Sequence, residues 1–293
     1  MILLQHWSAP PVPLALGLVA LLAFERGSRS LAARGSRRSG QSAQAWWFRS
    51  GVVLAVLVVA SPLGWWAGRE LSALTLQDCV ETFVAAVMIA LGGPWDEIAA
   101  GLSPAQGTAR FARLRRNGWW QAAGSPIVAV VAVLLPFLVW HVPAVADATV
   151  SSPFLHGLEL ATSLVGGLMF WVQLVGSHPF SPRLDHLARV SVIGAVLVGV
   201  WVPGTILVFE SSVWYTAYAH LAGTWLPAVD DENLAGGVIW VLPVLMLGMV
   251  GFWTMTSWLN REEDDDWRLH RVIEQTRARM GVTTEPIGGS ESA

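Results

Sequence analysis

WWFRSGVVLAVLVVASPLGWW, residues 46–66, decides the fold. A tryptophan pair stands at each end, with an uncharged, mostly aliphatic run between Arg49 and the second pair. At 1.5 Å per residue, the separation of 18 to 20 residues corresponds to about 27–30 Å of helix, the thickness of a bilayer's hydrocarbon core. Tryptophan favours that boundary because its ring is apolar while its N–H needs a partner. Trp119 and Trp120 bound a second such run that ends at Trp140.

Working outward, the same pattern repeats. Of the 293 residues, 54% are hydrophobic and 13% are charged, against about 25% charged in a soluble domain. The charges are clumped between long uncharged stretches. Seven apolar spans are predicted: Leu14–Phe24, Val52–Trp66, Leu71–Leu91, Gln121–Trp140, Pro153–Leu174, Val190–Phe209 and Leu234–Trp258. The fold class is all-α, a seven-transmembrane-helix bundle over residues 1–260. Residues 261–293 form a cytosolic tail, with a short surface helix over Trp267–Met280 and a disordered Gly-Gly-Ser-Glu-Ser-Ala end. The first span has its arginines after the apolar run, the reverse of a cleaved signal peptide, and reads as a retained anchor.

Orientation follows from arginine. All eighteen basic residues are Arg. Seventeen lie in the segments after spans one, three and five and in the tail, among them Arg37, Arg38, Arg116, Arg183 and Arg271; only Arg69 lies on the other side. Basic loops stay in the cytosol, so the amino terminus is expected outside and the carboxyl terminus inside, in a multi-pass protein of the cell membrane.

Several chemistries are excluded. With Cys79 as the one cysteine, an internal disulfide framework and a Cys-x-x-Cys site are both ruled out. Absence of lysine excludes Schiff-base chemistry and a Walker A phosphate loop. A net charge of −3 gives no case for nucleic acid. There is no Gly-x-Ser-x-Gly, His-Glu-x-x-His or dinucleotide fingerprint, so no enzyme is predicted.

Ionisable residues inside a bilayer are costly and point to function. Span three carries Asp78 and Glu81, with Gln77 and Cys79 beside them; span five carries His156 and Glu159. Counted from the outer ends, these lie about 5–15 Å deep. Each pair is three residues apart and shares a helix face. Two polar faces at similar depth are expected to meet, as a metal or proton site or as hydrogen-bonded glue between helices. Outer-face contributors are Cys79, His220 and Asp231, the last in an acidic run with Asp230 and Glu232. His141 and His220 are expected to be solvated, Cys79 to be an inert buried thiol, and Met246, Met249 and Met255 to be packing.

Several segments, in order, resemble the CtaG family of cytochrome c oxidase assembly factors, across roughly Trp47 to Trp258. They are Arg49 through Ser61-Pro62-Leu63, Leu91-Gly92-Gly93-Pro94, His156-x-x-Glu159 with Phe170-Trp171, and Asp231-Glu232-Asn233-Leu234-Ala235-Gly236 followed by Trp240. The resemblance implies a membrane factor that helps a haem–copper oxidase subunit acquire copper, with an oxidase subunit as partner. It also implies a His-x-x-x-His early in the third helix and a histidine after the fifth-helix glutamate; here those places hold Leu74, Asp78 and Leu160. The residues left are mostly oxygen donors, whereas copper(I) prefers sulfur or imidazole. Copper is therefore expected only as a candidate cofactor on Asp78, Glu81, His156 and Glu159. Two alternatives stand beside it: a metal-free structural member that binds a respiratory subunit, and a small proton- or ion-coupled transporter.

Overall fold

A computed structural model describes residues 6–35, 41–103, 106–116, 125–175, 177, 184–221 and 225–279. Arg37, Arg38, Trp119, Trp120, Arg183, residues 121–124 of the expected fourth span and the closing 288–293 segment lie outside the described residues. The described residues contain helices and no strand. In chain order these are α1 (Pro11–Ala33), α2 (Gln41–Ala60), α3 (Pro62–Ala67), α4 (Leu71–Gly92), α5 (Trp95–Leu102), α6 (Gly107–Arg115), α7 (Pro126–Trp140), α8 (Pro143–Ser151), α9 (Pro153–Val175), α10 (His186–Phe209), α11 (Thr216–Ala219) and α12 (Ala228–Arg279).

Six of them, α1, α2, α4, α9, α10 and α12, include stretches long and apolar enough to cross a membrane. The fourth expected span takes another form. α7 has 15 residues, too few to cross at 1.5 Å each. It meets α8 at a 72° bend, and the pair counts as a broken span or a re-entrant element. Pro143 opens α8 and keeps Val142 extended, which is why the helix cannot run through. Proline also corrects the second span. α2 ends at Ala60; Pro62 starts α3, with extended Ser61 as N-cap accepting the Leu63 N–H at 3.3 Å. Trp65 and Trp66 therefore sit on a separate short helix, not at the end of the helix that carries Trp46.

α4 is the central helix: 72% of its apolar window is buried, against 22–44% in the other five. Those five leave Leu, Val, Phe and Trp side chains exposed, as lipid-facing helices do. The cost to α4 of carrying polar residues is met by protein neighbours rather than lipid. Its carboxyl end is set by Gly93, whose φ of +53° no β-carbon favours, and Pro94 then starts α5.

α5 and α6 fold what the sequence presents as a loop. α5 lies backbone to backbone against α1. A β-carbon on Gly27 would stand 1.7 Å from the Glu97 carbonyl oxygen, and one on Gly101 1.8 Å from that of Ala23. Close approach through small residues is the usual way membrane helices associate without a hydrophobic driving force. Arg49 on α2 pairs with Glu25 on α1 at 2.6 Å and lies over the Phe24 ring.

The chain forms two compact units, Met1–Gly251 and Phe252–Ala293. In the second, helix continues to Arg279 without a break at Asn260, so Trp267 onward is not a separate helix. Residues 261–279 contain no Gly or Pro that would end it. Met246 packs in the bundle as expected, but Met249 and Met255 are exposed. We predict that Gly27→Ala destabilises the α1–α5 contact by about 1–3 kcal/mol. Thermal unfolding of the protein in detergent should show a lower midpoint, with Gly157→Ala, where a β-carbon meets nothing within 4 Å, as the neutral control.

Candidate functional site

The expected meeting of polar faces occurs between α4 and α9. Asp78 and Glu159, both buried, bring their carboxyl groups within hydrogen-bonding reach. Two carboxyls can bond only if one carries a proton. His156, one turn earlier on α9, places Nδ1 3.2 Å from Glu159 Oε2, and its side chain is 27% exposed. Tyr218 on α11 completes the surroundings; sequence reading missed it. Its hydroxyl donates to the Ala67 carbonyl at 3.4 Å, and it lies close enough to both carboxyls to feel their charge.

Glu81 does not simply continue the Asp78 face. Residues Val80–Ala85 form a π-helical turn, which adds a residue to the turn and shifts the register beyond Asp78. Glu81 is buried and near enough to interact electrostatically with Asp78, but its Oε2 has no partner. The π turn also alters the backbone: the Thr82 carbonyl accepts the Trp171 indole N–H at 2.9 Å. Gly167 lets α9 close on that carbonyl, since a β-carbon there would stand 2.5 Å from it. Glu159, Ser163 and Gly167 thus form an i, i+4, i+8 stripe against α4. Within the cluster, Gln77 Oε1 and Nε2, Asp78 Oδ1, Glu81 Oε2 and Glu159 Oε1 are buried without partners. Buried orphans of this kind call for a water, a proton or an ion.

A second acidic group lies at the start of α4. Asp231, on the first turn of α12, accepts the Leu71 N–H at 2.6 Å and the Ser72 N–H at 3.0 Å. It caps a helix 160 residues away in the chain. Glu232 accepts the N–H groups of Trp214 and Tyr215 at 3.0 and 2.9 Å, and Glu70 accepts that of Trp225 at 2.7 Å. Asn233 donates to the carbonyls of Leu207 and Glu210. The run Asp231-Glu232-Asn233 is therefore a clasp that ties α12 to α4, α10 and the 214–215 segment. Sequence reading offered Asp231 as an outer-face contributor to the Asp78 cluster; its carboxylate instead caps α4.

Of the other candidates, Cys79 is fully buried next to Asp78, and His220 is exposed. His141 is not simply solvated: its ring stacks on Phe137 at 4.2 Å and Nδ1 lies 2.7 Å from the Phe137 carbonyl.

The copper implied by the resemblance fits these residues poorly. The donors are carboxylate oxygens with one imidazole, and two of the carboxyls are turned to each other. Among the described residues no three His, Cys, Asp or Glu side chains are disposed to hold a metal ion. Copper(I) needs soft donors.

These features define a multi-pass, all-α membrane protein with a buried polar cluster on its central helix. The chain belongs to the cytochrome c oxidase caa3 assembly factor family (Caa3_CtaG), which it matches over residues 22–261. It is similar to the uncharacterized proteins Mb0105 of Mycobacterium bovis and MT0111 of Mycobacterium tuberculosis. Each is 24% identical over 258 residues, covering 85% of this chain and 38% of the relative. The chain thus spans well under half the length of these curated relatives. No solved structure matches it.

Removing the cap should be costly. We predict that Asp231→Ala, which leaves two buried N–H groups unpaired, destabilises the protein by about 1–3 kcal/mol. Asp231→Asn, which keeps an acceptor, should lose less; comparison of denaturation midpoints in detergent checks the order. Trp171→Phe should cost about 1 kcal/mol by stranding the Thr82 carbonyl.

Proposed function

We propose that this chain is a non-catalytic, metal-independent assembly factor of the cell membrane. Its helices hold a subunit of a haem–copper oxidase while that subunit matures. Family membership supplies the oxidase. The observation that carries metal independence is the Asp78–Glu159 carboxyl pair: the two side chains best placed to bind a metal are engaged with each other. In this reading the pair, with His156, joins α4 to α9 and keeps the bundle in the form its partner recognises. With the amino terminus outside, as the arginine pattern supports when the α7–α8 pair counts as one span, the cluster lies in the outer half of the membrane.

A second reading gives the cluster an occupant, either copper in transit to the oxidase or a coupling proton or ion. The orphaned atoms of Gln77, Asp78, Glu81 and Glu159 favour it.

One experiment separates the two. The double variant Asp78→Asn/Glu159→Gln keeps one hydrogen bond between the side chains and removes both titratable carboxyls. Metal independence predicts that deleting the gene lowers assembled oxidase, that the double variant restores most of it, and that the purified chain carries well under one copper per molecule in the presence of reductant. Stoichiometric copper that disappears in the variant, with loss of oxidase, would refute the proposal.

A further inference from the structure

α6 packs by one face only. Gly107 is buried and Phe111, four residues on, is half-buried. A β-carbon on Gly107 would stand 1.8 Å from the Ala99 carbonyl oxygen, so the start of α6 lies against α5. The other face carries arginine: Arg110, Arg113 and Arg116, spaced three apart, are all exposed.

α5 joins this row to a second one. Its Glu97 carbonyl meets α1 at Gly27, two residues before the Ala99 carbonyl meets α6. Arg26 and Arg29 flank the Gly27 contact and are exposed. Packed helices lie about 8–10 Å apart, which puts the two rows within roughly 20 Å of each other. Among the described residues none of these five arginines makes an ion pair. Elsewhere in the bundle arginine is engaged: Arg49 holds Glu25, and Arg69 lies over the Trp65 ring. The acids of α5, Asp96 and Glu97, are half-buried.

We propose that Arg26, Arg29, Arg110, Arg113 and Arg116 form a docking surface for anionic phospholipids of the cytosolic leaflet. Height supports this occupant. The apolar run of α1 ends at Phe24, so Arg26 and Arg29 follow where hydrocarbon gives way to headgroups. The contacts at Gly27 and Gly107 hold α5 and α6 beside that level. Charge supports it as well. A lipid phosphodiester is the complementary anion, a guanidinium fork matches its oxygens, and clusters of four to eight basic residues beside a span bind anionic lipid. Leu102, the last residue of α5, is exposed and offers an apolar contact next to the charges. Membrane orientation needs arginine in this segment, but it does not need a row on the free face of a packed helix. The surface lies at the cytosolic end, away from the Asp78–Glu159 pair, and does not depend on the metal-independent reading given above.

Native mass spectrometry of the full-length protein in detergent, with phosphatidylglycerol or phosphatidylcholine added, tests the surface. The native protein should retain phosphatidylglycerol in preference, and the preference should fall as salt rises. Arg110→Gln/Arg113→Gln/Arg116→Gln should lower it roughly tenfold or more, and the same three positions changed to Lys should keep most of it. Millimolar inorganic phosphate should not displace the lipid; displacement would make this a site for a free anion and overturn the proposal. Equal retention of the two lipids by the native protein, or an undiminished preference in the glutamine variant, also overturns it. If the glutamine variant lowers oxidase assembly while the native protein shows no lipid preference, the arginines serve an acidic protein partner and the lipid surface is refuted. Should that variant fail to fold, Arg26→Gln/Arg29→Gln is measured in its place, with a reduced preference as support and an unchanged one as refutation.

Discussion

A polar group within a bilayer has no water to turn to, so each must find a partner inside the protein. α4 shows how this constraint organises the bundle. It is the most buried span and, among the described residues, it carries the most buried polar side chains. At its amino end its first N–H groups are met by Asp231 from α12. In its π turn the Thr82 carbonyl is met by Trp171 from α9. Helices that are far apart in the chain are thereby fixed to the same helix at defined heights, one at its end and one near its middle.

The two acidic groups on α4 have different physical characters. The Asp231 group is saturated with backbone N–H donors and holds loops and helix ends together, with one oxygen of Glu70 left over. The Asp78 group has few donors: His156 reaches Glu159, the two carboxyls face each other, and five atoms of Gln77, Asp78, Glu81 and Glu159 have no partner. A saturated group is a clasp. An unsaturated one in a low-dielectric setting has a strong demand for a proton, a water or a partner. The chain's likeness to oxidase assembly factors gives that demand a context, and the oxygen-rich donor set argues against copper as the answer.

Proline and glycine set where the spans break. Pro62 interrupts an apolar run that composition alone presents as continuous, Pro143 starts the helix that bends away from α7, and Pro94 follows the left-handed Gly93 at the end of α4. Gly27, Gly101 and Gly167 are places where another backbone passes too close for any side chain. Segments that resemble the family, such as Ser61-Pro62-Leu63 and Leu91-Gly92-Gly93-Pro94, thus mark breaks, while Asp231-Glu232-Asn233 marks the clasp.

By itself the sequence determined the all-helical membrane class, most of the spans and the ionisable residues of α4 and α9, because apolar run length and the cost of charge in lipid are local properties. It also carried the family resemblance, which rests on short local segments. Only the tertiary structure decided that α7 and α8 bend by 72°, that α2 stops at Ala60, that Glu81 is displaced by a π turn and that Asp231 caps α4. Tyr218 and Glu70 became visible only there. Their surroundings come from segments up to about 160 residues apart, and no local pattern encodes which helix end a distant carboxylate will meet.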